Sequence, residues 1–256
     1  MTTASKQHIR RKKMPDLDDL MATRLCDLRL SVDRSQISRY VRKLYRELAA
    51  KGLRQFRPAV YFGDEWFSPE GVPAIAVPFY LAHDRLMTME RQLMDEVEGA
   101  DPSERMKLLR HEAGHCFDHA FKVSRTAEWR AMFGSPQRKY DPDHYLPNPH
   151  SRDFVINLPD HYAQSHPDED FAETFAVWLD PLSDWRRRYA RWPKALRKLQ
   201  YVDRVVRSMA MKKPKVKSGP MVYHVNRLRM TVEQYYELRQ RKWEAPRAST
   251  SSSSSM

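Results

Sequence analysis

Apolar residues recur at helical spacing between about Ser35 and Lys51, where Ile37, Tyr40, Val41, Leu44, Tyr45 and Leu48 mark one face and Gly52 follows as a stop. The texture then changes. Val60-Tyr61-Phe62 and Ala74 to Leu81 are short β-rich or aromatic runs, separated by Gly63-Asp64 and Ser68-Pro69-Glu70-Gly71. They read as strands, with Pro73 and Pro78 placing the second at a sheet edge. From Asp101-Pro102-Ser103 a helix is expected through Phe121, with proline at its beginning and Glu104 in its first turn. Residues 134–168 interrupt the pattern with Pro136, Pro142, Pro147, Pro149, Pro159 and Pro167. So long a connection inside a compact domain marks a functional loop or a linker. Ser165-His166-Pro167-Asp168 opens the next helix as a serine cap with an acid three residues on, and Phe171, Phe175, Trp178 and Leu182 form its core stripe. More helix follows, broken near Pro193, and Thr231 to Trp243 reads as a final helix.

These signals divide the chain into a basic, disordered tail over 1–14, a main domain over 15–208, a linker over 209–222, a helical appendage over 223–245 and a disordered tail over 246–256. Among 256 residues, 41% are hydrophobic, enough for a real core. The two cysteines, Cys26 and Cys116, exclude a disulfide scaffold and a Cys-rich zinc module. No apolar signal core follows the basic start, and no window approaches the ~20 apolar residues of a membrane span. The expectation is a cytoplasmic protein with no membrane partner.

The formal charge of +12 is local. From Arg186 to Lys217 there are 13 basic residues against Asp203 alone, while Asp84 to Asp184 holds 20 acids against 11 bases. Through the basic stretch, Tyr189, Trp192, Leu196, Leu199, Val202, Val205 and Val206 recur near helical spacing. One face is therefore expected to be buried and the cations to ride on the other. Any nucleic-acid binding by such a segment is expected to be weak, non-specific and salt-sensitive.

One motif carries chemistry: His111-Glu112-Ala113-Gly114-His115. Positions i and i+4 share a helix face, so both imidazoles can reach one ion, with Glu112 beside them to take a proton from a metal-activated water. Catalytic zinc takes three protein ligands and keeps an open position. The metzincin spacing would put a third histidine at Phe121, so the ligand must come from elsewhere. The run His166-Pro-Asp-Glu-Asp-Phe-Ala-Glu-Thr-Phe-Ala176 offers it. Glu169 and Glu173, four apart, share a face opposite the aromatic stripe; one carboxylate can bind metal and the other accept the ring N–H of a ligand histidine. Asp170 competes with Glu169, because the helix register is open by a residue. His119 continues the series a turn away, His161 and His166 are substrate-facing or loop histidines, and Cys116 reads as a small core residue.

HEAGH followed by HPDEDFAETFAVWL resembles the zinc-binding metallopeptidases of bacteria and, more distantly, lethal-factor-type gluzincin proteases. The likeness covers roughly residues 60–205. It implies an α+β, zincin-like fold with a small sheet and its edge strand over the HExxH helix, and a mostly helical C-terminal half. It also implies a peptide or protein substrate and a Zn²⁺ cofactor held by His111, His115 and Glu169. Glu112 is the implied general base, Glu173 the partner of a ligand histidine, and Tyr162 the implied donor to an oxyanion. In that reading an extended substrate would pair along Ala74 to Leu81. Gly114, inside the helix, costs about 1 kcal/mol against alanine; close approach of another backbone would account for it.

Overall fold

The computed structural model describes residues 17–141, 145–210 and 212–244; the tails expected over 1–14 and 246–256 lie outside the described residues. The regular elements are α1 (Leu17–Met21), α2 (Ile37–Ala50), β1 (Ala59–Gly63), β2 (Ala74–Pro78), α3 (Asp84–Met94), α4 (Pro102–Phe121), α5 (Ala127–Phe133), α6 (Pro167–Leu179), α7 (Trp185–Arg188), α8 (Pro193–Met209) and α9 (Val232–Glu244). The class is α+β, with helices dominating. Among the described residues no helix is long and apolar enough to cross a membrane.

α2 buries Ile37, Tyr40, Val41, Leu44 and Leu48, the face its periodicity marks, and Gly52 at φ +92° ends it in the left-handed region open to glycine. The sheet departs from expectation. β1 and β2 run parallel, in register from Ala59 opposite Ala74 to Gly63 opposite Pro78. After β1 the chain crosses to the far side of β2, where Phe67 bridges Ala76 antiparallel and its carbonyl accepts the Ala76 N–H at 2.8 Å. β2 is thus the inner strand, buried at every position, rather than a free edge. The prolines do not forbid this, because Pro73 precedes the strand and Pro78 is its last residue. The run ends there: Phe79–Ala82 is a 3-10 turn. Strand addition by a substrate along 74–81 is therefore corrected, since the central donor is already engaged.

α4 and α6 cross at the heart of the core. Gly114 lies at the crossing, where a Cβ would stand 2.8 Å from the Ala172 Cα and 3.1 Å from its carbonyl oxygen. The close backbone approach anticipated from a helix-interior glycine is there. α6 stops at Leu179, ahead of Pro181, so Leu182 falls outside the core stripe and is 87% exposed. α7 and α8 bury Trp185, Leu199, Tyr201, Val202 and Val206 and leave most of their cations outward. The region expected as linker and appendage packs onto the body. Lys215 and Val216 donate backbone N–H groups to the Ala120 carbonyl, and Val232, Tyr235 and Tyr236 of α9 join the same core as α4 and α6.

Candidate metal centre and cleft

α4 owes its length to firm ends. The Asp101 carboxylate accepts the N–H groups of Ser103 and Glu104, Pro102 fills the first turn, and Lys122 closes the helix in the left-handed region. The α6 cap differs from the serine expected. His166 accepts the Asp168 N–H through Nδ1, while the Ser165 hydroxyl turns back to donate to the Tyr162 carbonyl. That places His166 in a structural role. The shift leaves Glu169 and Glu173 on the side of α6 that faces α4.

Three atoms then converge. His111 Nε2 and His115 Nε2 are 3.1 Å apart, and Glu169 Oε2 lies 3.0 and 3.2 Å from them. These residues form a group of His and carboxylate side chains that could hold a metal ion. In a tetrahedral zinc site with bonds of about 2.0–2.1 Å, neighbouring ligand atoms stand about 3.3–3.4 Å apart, so the spacing fits. Donor chemistry fits as well. With Nδ1 of His111 donating to Glu173, its Nε2 and the Glu169 oxygen are both acceptors, so neutral hydrogen bonds cannot satisfy all three atoms, whereas a cation at their centre does.

The remaining ring nitrogen of His111 is fixed from behind. Nδ1–H donates to Glu173 Oε1 at 2.8 Å, which leaves Nε2 with its lone pair toward the centre. Glu173, fully buried, also accepts from Asn157 Nδ2 at 2.7 Å and from the Leu158 N–H at 2.8 Å. Both donors come from the Pro-studded connection, so that segment supports the site directly. Asp170 faces elsewhere and takes Lys198 Nζ at 2.6 Å. Burial opposes charge on the His111 ring, yet its hydrogen bonds to Glu169 and Glu173 carry its pKa well above the ordinary value. Burial likewise opposes ionisation of Glu169, but the two rings hold it well below the carboxylate range. The cluster calls for positive charge where its atoms meet.

Glu112 stands apart from this group. It is 5% exposed, its Oε2 is buried without a hydrogen-bond partner, and burial raises its pKa. Tyr162 lies over His111, with ring centroids 5.8 Å apart, and its hydroxyl meets that of Tyr140 at 2.9 Å. Burial first, and then Glu169 nearby, push the Tyr162 pKa far up, which keeps its proton in place. Two cavities adjoin here, of about 740 and 260 Å³, and Trp66, His111, Glu112 and Tyr162 line both.

The sequence motifs named His111, Glu112, His115, Glu169, Glu173 and Tyr162, and the fold brings all six to one place. His119 is not among them; its Nδ1 bonds the Val72 carbonyl at 3.1 Å. Cys116 is buried, as a core residue. Asn157 and the paired role of Tyr140 escaped sequence reasoning, because neither belongs to a periodic segment or a spaced motif. The model of a family described as "Putative zinc-binding metallo-peptidase" matches residues 94–236. No curated protein and no solved structure matches the chain.

Proposed function

The chain belongs to the zinc-binding metallopeptidase family, and from that premise we propose that it hydrolyses peptide bonds at the convergence of α4 and α6. The observation that carries the proposal is the pairing of the three converging ligand atoms with a separate carboxylate, Glu112, whose Oε2 is buried and without a partner. A structural site has no need of such a base and normally closes its coordination with a fourth protein ligand. Zinc held by His111, His115 and Glu169 would lower the pKa of water from about 15.7 to about 7 and polarise the scissile carbonyl.

This chain's own residues do the rest. Glu112 takes the proton of the attacking water and passes it to the leaving amine. Burial raises its pKa, which strengthens it as the acceptor of that proton. Tyr162 donates its hydroxyl to the developing oxyanion, and Tyr140 orients that hydroxyl; loss of one such donor costs about 10²-fold in rate or more. Glu173 holds the His111 ring and, through Asn157 and Leu158, ties it to the connection that carries Tyr162. The gluzincin layout, a His-Glu-x-x-His helix and a glutamate from a second helix, describes this arrangement best.

The test is a peptide-library cleavage screen of the zinc-loaded chain beside Glu112→Gln. Cleavage by the wild type and none by the variant, with equal zinc in both, is expected. Cleavage that survives in Glu112→Gln contradicts the assignment of the base.

A further inference from the structure

The larger cavity beside the site is walled by carboxylates. Glu104 and Glu112 lie on one stripe of α4, and Glu65, Glu96, Glu98 and Asp160, all exposed, line the same space from three other segments. Arg239 also lines it, but the guanidinium is paired with Glu90 and lies 5.6 Å from the Tyr80 ring centroid, so its charge is answered. Glu65, Glu96 and Glu98 make no ion pair among the described residues. Glu112, which lines both cavities, joins this wall to the metal centre; it is 5% exposed, and its buried Oε2 has no hydrogen-bond partner. A buried acceptor without a partner, on a residue that lines a cavity of about 740 Å³ beside the metal centre, marks a place where an incoming donor would be answered.

The sign of this wall is opposite to that of the whole chain, whose formal charge is +12 and whose excess lies in Arg186 to Lys217. A concave surface lined by one sign of charge concentrates ions of the opposite sign. Lysine and arginine side chains are donor-only cations, matched to a wall that offers acceptors only. Reach follows from the helix. Glu104 lies two turns before Glu112, about 12 Å along the axis at 1.5 Å per residue. An extended peptide covers that in about four residues.

Resting on the peptidase reading above, we propose that this cavity selects peptides bearing lysine or arginine on one side of the scissile bond, within about four residues of it. Acidic peptides are repelled from this cavity.

Binding is measured by fluorescence anisotropy on the zinc-loaded, full-length Glu112→Gln chain, which holds a peptide without cutting it. The probes are three labelled peptides of about ten residues, alike except that the alternating positions are Lys, Gln or Glu. The Lys peptide is expected to bind about tenfold more tightly than the Gln peptide at low salt, and the Glu peptide more weakly than either. Adding Glu65→Gln, Glu96→Gln and Glu98→Gln together should erase most of that difference, with zinc content retained and thermal melting not lowered; the single changes, measured alongside, should each erase part. Equal binding of the Lys and Gln peptides overturns the proposal, as does a Lys preference that persists in the triple variant. The wild-type cleavage map separates the two readings. Cutting without Lys or Arg enrichment defeats this proposal and leaves hydrolysis standing. A Lys preference in binding with no cutting of any peptide defeats hydrolysis and leaves the cation-selective cavity standing.

Discussion

Two sets of buried charge lie within a turn or two of each other on α4 and α6, and they are built on opposite plans. In one, every charge has its opposite. Arg110 forks onto Glu47 at 2.8 and 2.9 Å and reaches Asp180 at 3.0 Å, while Lys198 meets Asp170 at 2.6 Å. In the other, His111 and His115 face Glu169, Glu173 lies behind and Glu112 beside, so the only cationic partners on offer among the described residues are two imidazoles, and Glu112 pairs with neither. Neighbouring residues 169 and 170 divide between the two plans. A matched set serves the fold, whereas an unmatched set of acceptors serves whatever supplies the missing positive charge.

That contrast can be broken by removing one member at a time. The largest expected effect on stability is Lys198→Met. It leaves Asp170 1% exposed and unpaired, which typically costs about 3–5 kcal/mol; uptake of a proton by Asp170 keeps the loss toward the lower figure. Adding Asp170→Leu should restore most of it, because an apolar pair of similar size replaces a buried ion pair at little cost. Urea melts of the single and double variants decide the point, and zinc content should follow neither change.

On the unmatched side, metal affinity rather than stability should respond. Glu173→Gln is expected to weaken zinc binding about 10–100-fold, read by competition with a chelator. Glu169→Gln should weaken it further, and Asp170→Asn should leave it unchanged. Asp170→Asn as the most damaging of the three would reverse the division between the two sets.

Smaller still is Gly114→Ala, at the crossing that joins both sets. Helix propensity alone favours alanine by about 1 kcal/mol, but the added Cβ would meet Ala172 backbone at 2.8 Å. Overpacking of this kind costs about 1–3 kcal/mol, so a net loss in Tm is expected. A gain would mean that the helices separate freely.

Last comes Glu98, whose pKa is pushed up to about 7 by enclosure in the cleft and by the carboxylates of Glu104 and Glu112. A carboxyl raised on folding favours the folded state while protonated, and that advantage disappears as pH rises through about 7. Glu98→Gln should therefore raise Tm slightly more at pH 8 than at pH 5. The opposite order would place Glu98 among matched charges.

The contrast also explains what could be read from the sequence. His111, Glu112, His115, Glu169 and Glu173 were legible because helical periodicity turns spacing into a shared face. The start of α4 was legible for the same local reason; the α6 cap was off by one residue, since a histidine can accept the N–H expected to go to Ser165. Asn157 and the Leu158 N–H were not legible, because an irregular connection carries no period from which to infer direction. The inner position of β2 rests on a single bridging residue, Phe67, too short to leave a pattern. The acidic cavity was hidden most completely. Its carboxylates come from separate segments, and only the packing of the chain brings them together.

The central claim, that the unmatched set is a zinc site whose base is not a ligand, is tested most directly by zinc stoichiometry. Wild type, Glu112→Gln and His111→Ala are each loaded with zinc, passed through gel filtration and analysed for metal per chain. About one zinc is expected in the wild type and in Glu112→Gln, and close to none in His111→Ala. Zinc retained in His111→Ala, or lost from Glu112→Gln, contradicts the account.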